Sequence, residues 1–196
     1  MNYDNAEIEL SGLMLDYRIE GVGQPPLVLL HGFRAHSGTW RKNVPVFAKQ
    51  RMVIAPSLPL YEESPHQLAR IYKKILEEFF VRIAVTSFVL IGNSLGGLVS
   101  MLYASENPNQ VCAVVLEDSA GYESEVLENF SKTGIPTLIV WGEKDTLIPL
   151  TSAYIFKEKM PQSELVVIRG AGHVPHWEIP ESFNKKIISF LKEKGC

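Results

Sequence analysis

Short apolar runs alternate along this chain with longer segments in which apolar residues recur every three or four positions. The first pattern predicts strands and the second amphipathic helices. Taken in turn, they predict a mostly parallel central sheet of about eight strands with helices on both faces. "AEIEL" and "LMLDYRIEG" predict an antiparallel pair that opens the sheet. "PLVLLHG" reads as a buried strand, followed by a helix near "GTWRKNVPVFAKQ" and a strand at "RMVIAP". In "HQLARIYKKILEEFF", the residues Leu68, Ile71, Tyr72, Ile75, Leu76 and Phe79 mark one face of a helix. "SFVLIG" predicts the next strand, and residues 94–105 a helix that Pro108 brings to an end. "VCAVVLED", "TLIVWG" and "ELVVIRG" supply three further strands. The helix "TSAYIFKEKM" falls between the last two, and "ESFNKKIISFLKEK" closes the chain.

Composition excludes several classes of protein. With 196 residues, no repeats and no Pro/Gly/Ser-rich linker, the expected organisation is one domain over 1–196. The net charge of −3 shows no pull toward nucleic acid. No run of eighteen apolar residues predicts a membrane span. The start, "MNYDNAEIEL", lacks the basic-then-apolar order of a signal peptide, so a cytoplasmic protein is expected. Cys112, in "VCAVVL", reads as a buried small hydrophobe and Cys196 as a frayed end residue. Neither has metal-ligand spacing, and a disulfide between them requires the C-terminus to fold back. No metal or cofactor is expected.

The segment "LIGNSLGGLVS" (90–100) carries the candidate chemistry. A strand that turns sharply into a helix through Gly-x-Ser-x-Gly presents the serine hydroxyl at the carboxyl edge of a sheet. Ser94 is the candidate nucleophile there, and a structural turn serine is the plainer alternative. The amide of Leu95, at the helix start, is one oxyanion donor, because the first helix amides lack partners and favour negative charge. "LLHGF" supplies a second in the amide of Phe33, with Gly32 permitting close approach. "WGEKDTLIP" places Asp145 after one late strand, and "RGAGHVPHWEIP" places His173 after the next. In this order His173 serves as the base and Asp145 as the acid that orients it. Asp118 also ends a strand at the same edge and would reach the histidine, but reads as a turn or N-cap residue. His31 reads as a brace for the oxyanion loop, and His36 and His176 as surface or rim residues. Arg34, Tyr122, Leu147, Ile148, Val174 and Trp177, with Phe33 and Leu95, are the candidate substrate pocket.

The motifs "HGF", "GNSLGG", "WGEKDTLIP" and "GAGHVPHWEIPESFNKKIISFL" together resemble the α/β-hydrolase superfamily, from about Ile8 to the C-terminus. The resemblance implies the α/β-hydrolase fold and a serine hydrolase that acts through an acyl-enzyme without a metal. Carboxylic esters of short to medium acyl chains are the leading substrates. A carbon–carbon bond hydrolase or thioesterase on the same triad, and a non-catalytic binding module of this fold, stay open as alternatives. The chain departs from the family in two places. Relatives usually carry a helical cap between the sixth and seventh strands, whereas 119–136 has room for one short helix around "SEVLENFS". In "APSLPLYEESP", Ser57, Leu60 and Glu62 stand where an Asp and two Gly are usual. The expected result is an open, nearly capless site whose apolar rim is exposed or meets a second subunit.

Overall fold

The computed structural model describes residues 4–196, with side chains from residue 6 onward. Strands β1 (Asp4–Leu10) and β2 (Leu13–Glu20) pair antiparallel. Only Ser11 and Gly12 separate them, with φ of 33° and 88°. Two successive positive φ values are what a two-residue hairpin turn needs to match the strand twist. The sheet continues through β3 (Leu27–Leu30), β4 (Val53–Pro56), β5 (Phe88–Asn93), β6 (Val111–Glu117), β7 (Thr137–Gly142) and β8 (Glu164–Ile168). Its spatial order is β1-β2-β4-β3-β5-β6-β7-β8, with β2 antiparallel to both neighbours and the rest parallel.

The helices are α1 (Val44–Phe47), α2 (Pro65–Arg82), α3 (Leu95–Glu106), α4 (Glu125–Ser131), α5 (Thr151–Lys159), α6 (Pro175–Glu178) and α7 (Pro180–Lys194). Strands β3 to β7 are buried on both faces, and their alternate residues feed two separate cores. Val28, Leu30, Ile54 and Leu90 join the core under α2, α3, α4 and α5. Leu27, Leu29, Val53 and Val89 join the core under α1 and α7. Helix α2 starts where the sequence signals it: Ser64 accepts from the Gln67 amide and Gln67 accepts from the Ser64 amide. The helix expected over 38–50 is instead divided into a 3-10 turn, Ser37–Lys42, and the four-residue α1. Pro45 lies in the first turn of α1, a place a proline tolerates, and a longer helix would have put it inside.

Parallel pairing brings the carboxyl ends of β3, β5, β6, β7 and β8 to one edge. The connection from β3 runs to β4 on one side, and that from β5 runs to β6 on the other. Ligand crevices of open α/β sheets form at such a reversal. Phe33 follows β3 and Ser94 follows β5, so the two flank it. Between β6 and β7 the only helix among the described residues is α4, whose Leu127 and Phe130 pack into the first core.

Candidate active site

Ser94 joins β5 to α3 with φ 53° and ψ −115°, a conformation that non-glycine residues rarely adopt. Such a backbone costs on the order of 1–3 kcal/mol and persists where its surroundings hold it. Here the Ser94 amide donates to Glu117 O at 2.9 Å, and the Ala120 amide donates to Ser94 O at 3.0 Å. A Cβ on Gly92 would stand 2.3 Å from Gly96 O, and one on Gly96 would stand 2.3 Å from Leu30 O. Glycine at both positions lets strand and helix meet this closely. The Ser94 side chain is half-buried and makes no capping bond to α3, so its hydroxyl is not spent on the helix.

The loop after β3 is braced from beneath. His31 is buried, its Nδ1 donates to Gly32 O at 2.8 Å, and its Nε2 accepts from the Leu58 amide at 2.9 Å. Burial lowers the His31 pKa, against the Gly32 bond and with the neighbouring His36, which fits a neutral ring with one donor and one acceptor. A Cβ on Gly32 would lie 3.3 Å from Ser94 Cβ, so this loop runs directly beside the serine. The unusual segment after β4 is fixed in the same way. The Ser57 hydroxyl donates to Ser37 Oγ at 2.8 Å and accepts from the Ser37 amide, and the Tyr72 hydroxyl donates to Pro59 O. Ser57 thus ties the two loops together, while Leu60 projects into solvent.

Asp145 and His173 meet at 2.7 Å, with His173 Nδ1 donating to Asp145 Oδ2. The other carboxylate oxygen accepts from the amides of Leu147 (2.8 Å) and Ile148 (3.0 Å). Burial pushes the Asp145 carboxyl up, but the bonds from His173, Asp118 and the two amides outweigh it and hold it below the usual range. The histidine loop has its own anchors. Glu178 accepts from the amides on either side of His173, Gly172 at 2.7 Å and Val174 at 3.0 Å. Asn93, beside the serine, donates to His173 O at 3.0 Å.

His176 is not the rim residue its place in the sequence predicts. It is fully buried, and both its amide and its Nδ1 donate to the Glu117 carboxylate at 2.6 Å. Its Nε2 lies 2.8 Å from Thr39 Oγ1, and Trp40 stacks on the ring at 3.8 Å. Asn43 donates to His176 O and to Asn184 Oδ1. His36 is exposed and accepts from the Gly38 amide. Asp118 stands in the turn out of β6 and caps no helix: it is fully buried, and Oδ1 accepts from the Gly142 amide at 3.0 Å. A carboxylate oxygen of Asp118, one of Asp145 and a ring nitrogen of His173 lie within 4.8 Å of one another. Cys196 is not frayed either, since its Sγ donates to Cys112 O at 3.4 Å and its amide to Leu191 O. Both cysteines are half-buried free thiols.

The family model for the alpha/beta hydrolase fold matches residues 25–133 and 121–180. The chain belongs to the α/β-hydrolase fold family. It is 26% identical, over 94% of its length and 68% of the relative's, to the dihydrolipoyllysine-residue acetyltransferase component of the acetoin cleaving system of Pseudomonas putida. It is 22% identical to the monoacylglycerol lipase ABHD6 of Rattus norvegicus, over 86% of its own length and 75% of the lipase. Among solved structures, MGS-MChE2, an α/β-hydrolase enzyme from the metagenome of lagoon sediments, superimposes with a TM-score of 0.83. That match has 26% identity and covers 97% of this chain and 100% of the other. Membership and relatives together support hydrolase activity.

In this α/β hydrolase, the Leu95 side chain is buried in the core under α2–α5 rather than lining a pocket, and the other residues expected there divide into three groups. Phe33, Arg34 and Leu147 are exposed, with the Arg34 guanidinium 5.1 Å over the Phe33 ring. Tyr122 and Ile148 are half-buried against the core under α2–α5, and Val174 is half-buried beside His173. Trp177 is held elsewhere, its ring covered by Arg41 at 4.1 Å and Lys42 at 4.5 Å. Sequence reasoning missed Glu117, Glu178 and Asn93. Glu178 had a local signal, a carboxylate four residues after the amide it holds, in a helix opened by Pro175. Glu117 had none, since its partner lies 59 residues away.

Proposed function

We propose that this chain is a serine hydrolase that cleaves carboxylic esters of short to medium acyl chains. The observation that supports this most directly is the strained Ser94 elbow on the same sheet edge as the hydrogen-bonded Asp145–His173 pair. With Nδ1 of His173 given to Asp145, Nε2 is left for the Ser94 hydroxyl. Ser94 Oγ attacks the acyl carbon as His173 takes its proton. The tetrahedral oxyanion is received by the amides of Phe33 and Leu95. His173 then returns the proton to the departing alcohol. Water, deprotonated by His173, releases the acid and restores Ser94. Asp145 stays ionised throughout and stabilises the imidazolium.

The exposed Phe33 and Leu147 and the single short helix at 119–136 support an open site in one domain, read as a cap reduced to a remnant. Loose acyl selectivity follows. No helix of the described residues is long and apolar enough to cross a membrane, and the two free thiols suit the cytoplasm, where we place the protein. The test is a fluorophosphonate probe together with a p-nitrophenyl ester series and a vinylogous diketone. Wild type labels and cleaves short esters best, and Ser94→Ala loses labelling and about 10⁵-fold or more in kcat. Labelling that persists in Ser94→Ala overturns the nucleophile assignment. Faster cleavage of the diketone overturns the substrate class.

A further inference from the structure

Asp118 is a buried carboxyl that the reaction above does not use. It is fully buried, at φ 43° on the last turn out of β6. The groups that face it are the Glu117 carboxylate from its own strand, Asp145 from the loop after β7, and the Gly142 amide. His173 stands behind Asp145. Oδ1 is satisfied by Gly142. As a carboxylate oxygen, Oδ2 finds no donor among the described residues. As an acid hydroxyl, it has Asp145 as its acceptor. Two ionised carboxylates in a dry site would repel, whereas one proton between them makes a strong charge-assisted bond.

We infer that Asp118 is a positioning residue that keeps its proton at working pH and donates it to Asp145, completing a chain Asp118–Asp145–His173. The inference rests on the reading of Asp145 and His173 as acid and base. Burial first, then the charge of Glu117, push the Asp118 carboxyl up to about 10, with the Gly142 bond opposing and Asp145 adding to the rise. The proton has two uses. It leaves a single negative charge facing His173, so the base is not over-stabilised in its protonated form. It also fixes the Asp145 carboxyl plane from the side away from the imidazole.

The test compares Asp118→Asn, Asp118→Ala and wild type in the pH profile of kcat/KM and in infrared spectra. An asparagine amide still donates to Asp145, and its carbonyl still accepts from Gly142, so Asp118→Asn keeps most of the activity, with the acid limb of the profile unmoved. Asp118→Ala loses about ten- to a hundredfold in kcat with KM little changed. An acid limb shifted to lower pH in Asp118→Asn means that a negative charge was removed, and overturns the proposal. An Asp118→Ala enzyme with wild-type kcat overturns it as well. Where Asp118→Ala does not fold, the infrared carbonyl band of a protonated carboxyl decides: it is present in wild type at neutral pH and absent in Asp118→Asn. A wild type without that band overturns the proposal. Thermal stability adds an independent sign. An acid whose folded pKa lies above its unfolded value holds a proton that the unfolded chain has released, so stability falls as pH rises between the two. The Tm of Asp118→Asn therefore gains on wild type from about pH 5 to about pH 9, and a constant difference contradicts the inference. Wild type that fluorophosphonate fails to label sinks the esterase reading instead, and leaves the infrared band to report on Asp118.

Discussion

At the carboxyl ends of β5 to β8, side chain after side chain has a protein partner. Asn93 holds His173, Glu178 holds the amides on both sides of it, Glu117 holds His176, and Asp145 is gripped by two amides and the imidazole. Along the rim above, Phe33, Leu60 and Leu147 are 47%, 63% and 69% exposed. The first region is over-determined, with several bonds fixing each group. The second is underdetermined. Chemistry needs groups held to fractions of an ångström, while an open rim with few contacts can change without cost to the fold.

The comparison is broken most severely from within the anchored region. A Cβ on Gly142 would stand 1.8 Å from Gly172 O, backbone against backbone, next to His173. Gly142→Ala is expected to cost about 3 kcal/mol, which for 196 residues lowers Tm by about 6–12 °C, and to separate His173 from Asp145. Calorimetry together with ester turnover checks both effects, and a wild-type Tm would show that the two loops can part freely. Glu178→Ala comes next. With two amides released, kcat falls about ten- to a hundredfold while the fold survives, as circular dichroism and steady-state kinetics will show. The smallest effect belongs to the rim. Leu147→Ala leaves kcat on acetate esters within about twofold and raises KM only for longer acyl chains, since the exposed side chain contributes little beyond apolar contact. A large loss on acetate would mean that the rim is part of the catalytic frame after all.

Much of this was legible in the sequence, and the limits have physical causes. The central strands show because they are apolar runs buried on both faces, as in "SFVLIG" and "TLIVWG". Ser94, Asp145 and His173 show because each sits in a glycine- or turn-bordered motif whose backbone geometry is itself written in residue type. The division of residues 38–50 around Pro45 was signalled by the proline, and the helical period masked it. The burial of His176 and Asp118 was not legible because burial is a property of tertiary packing. Nothing local distinguishes a histidine stacked under Trp40 from one at a surface, or a carboxyl beneath Asp145 from a turn residue. The ties between Glu117 and His176, and between Asn93 and His173, span 59 and 80 residues, and a single chain carries no record of such pairs.

The two backbone bonds that stitch Ser94 to the end of β6 carry a consequence for how this enzyme fails. Its amide is committed to Glu117 O and its carbonyl to the Ala120 amide, in the middle of a sheet whose central strands are fully buried. The elbow therefore has no private hinge. It opens only when β5 and β6 separate, which is the rupture of the molecule itself. Heat or denaturant should abolish activity and structure together, at one midpoint, so that under the proposed esterase reading a simple ester assay measures the folded fraction of the whole chain.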